Sequence, residues 1–136
     1  MKKKGLISAC LVLVLGLALP LMGGCALTPA EGKVYKIGIV QIATHPALDA
    51  AREGFVEEVN VHYDFRNPEG DPSAMATIAQ KFTLEKVDLI LAVATSMAQA
   101  CAATTKDIPI VFNCVTEPVA GGFVDSWGKP GSNLRY

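Results

Sequence analysis

Thr95 and Ser96 stand where an apolar run, "VDLILAVA", passes into a small-residue stretch, "TSMAQACAATT". A strand that opens into a helix at such a junction leaves the first helical N–H groups without intrahelical partners, at the positive end of the helix dipole. Two hydroxyls beside those donors make a place that receives an anion such as a carboxylate. The same two residues can equally cap their own helix and bind nothing, Thr95 being a good cap. The sequence leaves both readings open. Two further turns follow apolar strands, "QIATHP" at 41–46 and "TEPVAGG" at 116–122. They carry polar side chains but set no nucleophile beside a base. A P-loop, GxGxxG and GxSxG are all absent, and Cys and His lack metal-ligand spacing. No catalytic residue, cofactor or metal is expected.

The elements that must hold these turns alternate strand and helix. "YKIGIVQI" and "VDLILAVA" are nearly continuous apolar runs, the pattern of strands buried on both faces of a parallel sheet. "NVHYDF" alternates, with Val61, Tyr63 and Phe65 on one face and His62 and Asp64 on the other, and so belongs at an edge, with His62 in solvent. "IPIVFNCV" is a fourth strand. Between the first two strands Pro46 starts a helix whose stripe is Leu48, Ala51, Phe55 and Val56. Asp71 caps and Pro72 starts the next helix, with Met75, Ile78, Ala79 and Phe82 facing inward. The fold class is therefore α/β, a doubly wound parallel sheet of order 2-1-3-4. Its winding reverses between the first and third strands, and ligands bind at the carboxyl ends of strands flanking such a point. All three turns converge there.

The first residues address the chain. "MKKK" followed by the apolar run Gly5–Met22 reads as an export signal, 1–24. "LMGGC" resembles the lipobox of bacterial lipoproteins, with Met22 where Leu is usual, which makes Cys25 the lipidated residue. An ordinary cleaved signal and a retained anchor helix are the competing readings. Cys10, inside the run, is inert. Residues 25–34 have the composition of a tether, and 35–136 form one lobe. Without Lys2, Lys3 and Lys4 nine of the twelve cations remain against thirteen acids, a formal charge of −4. With no basic stripe, nucleic acid is not a partner. The expected location is the extracytoplasmic face of the cell membrane, held by the lipid.

"IGIVQIATHPALDAAREGF", "EGDPSAMATIAQKF", "VDLILAVATSMAQA" and "KDIPIVFNCVTEPVAGG" resemble the solute-binding proteins of ABC importers. The nearest resemblance is to the family whose better-known members bind tryptophan or other aromatic amino acids. It covers nearly all of the chain after Cys25. It implies a periplasmic-binding-protein-like lobe that, with a second lobe, closes on a small solute bearing a carboxylate, an amino acid. It also implies permease and ATPase subunits as partners. By position, Gln41, His45 and Pro46 match the family's first ligand loop. Thr95 and Ser96 match the loop that receives the carboxylate, and Thr116, Glu117 and Pro118 match the third. The family more often has Asp where Glu117 stands. The residues alone assign His45 to a polar loop.

Two departures stand out. In "REGFVEEVNVHYDF" the helix runs into the next strand with no turn residue, although such connections need about two to six residues. Either the helix unwinds early or the region packs badly. The chain also ends at "KPGSNLRY", where the family would cross into its second lobe, so a truncated product is expected, binding weakly by itself. Trp127 is then a core residue orphaned from the other lobe, and "AGG" at 120–122 a flexible connection. Glu69 and Asp71 flank a turn glycine. Cys101 and Cys114 read as small buried hydrophobes, with a disulfide between them as the alternative in an oxidising setting. Other functional readings are a sensory binding module, which needs no transporter, and a small α/β hydrolase, which needs a Ser–His or Cys–His pair.

Overall fold

The computed structural model describes residues 33–59, 61–131 and 133–136. The expected export signal at 1–24, Cys10, Cys25 and most of the expected tether lie outside the described residues. The elements are β1 (Ile37–Gln41), α1 (Pro46–Val59), β2 (Tyr63–Arg66), α2 (Pro72–Leu84), β3 (Leu89–Val93), α3 (Thr95–Thr104) and β4 (Ile110–Asn113). Three short strands follow, β5 (Val124–Ser126), β6 (Lys129–Pro130) and β7 (Leu134–Arg135). The main sheet has the order β2-β1-β3-β4-β7, and every neighbouring pair is parallel. The expected order 2-1-3-4 is present. β7 is an addition that the sequence did not announce.

The two apolar runs became the centre of the sheet because neither has a face that tolerates water. In β1 all five residues are buried, and in β3 all but Leu89. Alternation sends Val40, Ile90 and Ala92 to one face, where Met75, Ala79 and Phe82 of α2 and Met97, Ala98 and Cys101 of α3 close the core. Small side chains on α3 let it lie close. Ile37, Ile39, Leu91 and Val93 fill the other face, under Leu48, Phe55 and Val56 of α1. Gly38 is where α2 comes nearest, since a Cβ there would sit 2.7 Å from the Phe82 ring.

The missing turn after α1 is made at the strand's expense. The helix does not unwind early; it runs to Val59, and β2 begins at Tyr63 rather than at residue 60. Val61 and Tyr63 still pack against the same apolar cluster as Phe55 and Val56. The helix is held loosely, with no fully buried residue. β2 lies at the edge, as its alternation requires, and His62 is exposed.

Trp127 is 66% exposed in this lobe, edge-on to Tyr136 with centroids 6.3 Å apart. Two other expectations need correction. The "AGG" segment is an ordered turn, closed by Gly121 N–H to Glu117 O at 2.8 Å and Phe123 N–H to Pro118 O at 2.9 Å. Cys101 and Cys114 are both free, and only Cys101 is buried. Cys114 is exposed, with φ 53°.

Candidate functional site

Parallel register brings the three turns to one level. Gln41 pairs with Val93, and Val93 with Asn113, so β1, β3 and β4 end in one row. The segments that start at Ile42, Ala94 and Cys114 therefore leave the sheet side by side, at the point where the winding reverses. Asn113 closes its end of the row with Oδ1 buried and unpartnered among the described residues, while its Nδ2 reaches Ala51 O at 3.4 Å.

The start of α3 differs from the starts of the other helices. At α2 the Asp71 carboxylate accepts from the N–H groups of Ser73 and Ala74 at 2.8 and 3.5 Å. The bonds from Ser73 also hold that carboxyl below its ordinary range. At α1 the ring of His45 takes this place, its Nδ1 accepting from Ala47 N–H at 3.2 Å. At α3 the cap position is Ala94, with no side-chain cap bond. Thr95 is thus the first helical residue and not the cap. The first intrahelical bond is Ala98 N–H to Ala94 O at 3.1 Å, so the N–H groups of Thr95, Ser96 and Met97 precede the helical ladder. Ser96 is exposed and Thr95 half-buried, while Met97 is buried in the core and anchors the turn. Ala94 holds φ 92° and ψ 156°, a conformation almost restricted to glycine. An L-residue kept there is held by its surroundings, in part by its N–H bond to Asn113 O at 3.1 Å.

The other assigned residues divide by burial. His45, Pro46, Thr116 and Glu117 are exposed at the same end of the sheet as Ser96. Pro118 is fully buried, and its carbonyl accepts the Phe123 N–H that closes the turn. Gln41 is also fully buried. Its amide donates to Ala43 O at 2.8 Å and Asp49 Oδ1 at 2.7 Å and accepts from Arg52 Nε at 3.3 Å. Residues that the sequence did not assign to the site complete the row. Thr44 Oγ1 donates to Glu69 at 2.9 Å, Asn67 donates to both, and Gly70 N–H reaches Ile42 O at 2.8 Å. These bonds lock the loop after β1 to the loop after β2. "NPEG" marks a turn in the sequence, but not its partner.

The opposite end of the sheet carries an open recess of about 410 Å³ lined by Lys36, Ile37, His62, Asp64, Glu85 and Val87. Its carboxylates are engaged by neighbouring cations, Asp64 by Arg66 and Lys81 at 2.7 Å each and Glu85 by Lys81 at 2.8 Å. That makes it a structural charge cluster. Among the described residues no group of His, Cys, Asp or Glu can hold a metal ion.

Comparison with known proteins agrees with this geometry. Residues 36–135 match the family model of the ABC transporter substrate binding protein. A curated tyrosine-binding protein of Clostridioides difficile is 42% identical over 111 residues, which is 75% of this chain and 32% of that protein. Among solved structures, the ligand-free, open form of a substrate-binding protein with adhesive properties from Clostridium difficile is 45% identical. Its TM-score is 0.69, over 74% of this chain and 37% of the other. A Streptococcus pneumoniae ABC domain in complex with L-Trp is 36% identical, with a TM-score of 0.66 over 74% and 37%. A conserved domain protein from Vibrio cholerae is 37% identical, with a TM-score of 0.70 over 75% and 38%. The chain spans about a third of the curated relative's length, and it corresponds to a single lobe. With a match over nearly all of residues 33–136, the chain belongs to the ABC transporter substrate-binding protein family.

Proposed function

We propose that this lobe serves an ABC importer by receiving the carboxylate of an amino acid at the uncapped start of α3. The observation that carries the reading is the set of N–H groups at Thr95, Ser96 and Met97, which no side chain caps, at the winding reversal of the sheet. Relatives named for tyrosine and in complex with L-Trp support an aromatic amino acid as the solute. Ser96 and Thr95 offer hydroxyls beside the carboxylate, and Glu117, exposed in the third turn, offers a negative partner for the ammonium group. His45 and Pro46 border the same row. A second lobe closes the cleft in the complete binding protein, and a permease and an ATPase are the partners that take the solute.

One lobe binds weakly, because small-molecule sites typically enclose about 70–90% of the ligand's surface. The test therefore works at millimolar ligand. Amide shifts of Thr95, Ser96 and Met97 are followed by NMR as L-tyrosine is added to the full chain, and again with L-tyrosinamide. Shifts with the acid and none with the amide are expected. Equal shifts with both would remove the carboxylate assignment.

We place the chain outside the cell, attached through a lipid on Cys25; "LMGGC" supports this. Mass spectrometry of the membrane fraction is expected to find a diacylglyceryl-modified peptide beginning at Cys25. An intact "MKKK" terminus on membrane-bound protein would favour an anchor helix instead.

A further inference from the structure

We infer that Gln41 is a positioning residue for the loop 42–46 and the first turn of α1, and does not itself touch the solute. The inference rests on the reading of that loop as part of the solute site. Gln41 ends β1 with no exposed surface, and its hydrogen-bonding groups face inward to protein partners. Both hydrogens of Nε2 are engaged, one by Ala43 O at 2.8 Å and one by Asp49 Oδ1 at 2.7 Å. Oε1 accepts from Arg52 Nε at 3.3 Å. The partners fix the orientation of the amide, since a flip would set Oε1 against a carbonyl and a carboxylate.

Each partner belongs to a different part of the loop's support. Ala43 lies in the loop. Asp49 is in the first turn of α1, where its N–H and that of Leu48 bond His45 O at 2.9 Å. Arg52 is one turn further on, its guanidinium 4.8 Å from the centre of the Phe65 ring on β2 and within 3.1 Å of Glu53. One buried amide therefore joins strand, loop, helix and the neighbouring strand. Turning Gln41 toward a ligand would leave the carbonyl of Ala43 and the carboxylate of Asp49 without their donor, a penalty that a single new bond does not offset. A solute-binding role for Gln41 is therefore indirect: it holds His45 and Pro46 where they border the site.

The test is amide hydrogen exchange on the full chain. The reporters are the hydrogen-bonded amides of Ala47, Leu48, Asp49 and Gly70, with Leu91 and Ala92 of β3 as the reference for global stability. Gln41→Glu removes both donors and sets a carboxylate against Asp49, so the reporters should exchange about ten- to a hundredfold faster while β3 changes little. Adding Asp49→Asn returns a donor, now from residue 49 to the carboxylate introduced at position 41, and keeps a carboxylate beside Arg52. Reporter protection should then largely recover. Unchanged reporters in Gln41→Glu, or no recovery in the double variant, would overturn the inference. A titration with millimolar L-tyrosine separates the two levels. Recovery of loop order without recovery of the tyrosine shifts would show that Gln41 contacts the solute and overturn its indirect role. A wild-type chain indifferent to tyrosine would count against the solute-binding reading, while the exchange result still decides whether Gln41 orders the loop.

Discussion

Gly38→Ala tests the closest approach between the sheet and its helical layer. The added Cβ would stand 2.7 Å from Phe82 Cδ2 and 2.8 Å from Cε2 and Cγ. Unstrained carbon contacts fall at about 3.5–4.0 Å, so ring or strand must move by about 0.8 Å or more. Neither has room. Phe82 is fully buried in the cluster that includes Met75, Ala79, Val87 and Ile90, and β1 is clamped between β2 and β3. Overpacking of this kind costs about 1–3 kcal/mol. For a domain near a hundred residues, each kcal/mol lowers the melting temperature by roughly 4–8 °C, so a loss of about 4–24 °C is expected by circular dichroism. Phe82→Leu destabilises alone by opening a void, but combined with Gly38→Ala it should recover about 1 kcal/mol relative to the sum of the two changes. A Gly38→Ala melt within about 2 °C of wild type, or strict additivity in the double variant, would refute the close-packing account.

Ala94→Gly should raise stability by about 1 kcal/mol in urea unfolding, because glycine alone accepts φ 92° and ψ 156° without strain, while Ala94→Val should lower it. Asp64 is responsible for part of the acid sensitivity. Burial works to raise its carboxyl, but bonds from Arg66 and Lys81 outweigh this and hold it below its ordinary range. A carboxyl lowered by folding contributes stability above its unfolded pKa, and that stability disappears as pH falls through the folded value. Melts taken between about pH 5 and pH 2 should therefore fall less steeply in Asp64→Asn, and identical slopes would exclude the contribution. Burial pushes the Cys101 thiol up to about 12. Iodoacetamide at mildly alkaline pH should label exposed Cys114 and spare Cys101 by peptide mapping, and equal labelling would show that α3 opens.

Much of the sheet was legible because its signals are local. "IGIVQ" and "LILAV" have no polar face, which forces cover on both sides and a central place, and alternation in "YDF" sets β2 at the edge. Asp71 and Pro72 announce α2, since a cap and its target N–H groups are only two or three residues apart. Position within a doubly wound order then brings the three turns to one end, so Ser96, His45 and Glu117 could be placed at that end of the sheet from sequence. What sequence could not decide depends on partners far along the chain. Whether Thr95 capped α3 was settled by the backbone of Ala94, bonded to Asn113 nineteen positions later. Pro118 offered no sign that it would be buried beneath a turn. Gln41 reads as a polar residue at a strand end, free to meet a solute, until folding brings Asp49 and Arg52 to its amide. β7 exists only because Leu134 and Arg135 find the open edge of β4. Periodicity states which face of an element avoids water; which neighbour a buried polar group meets is set only when the elements pack.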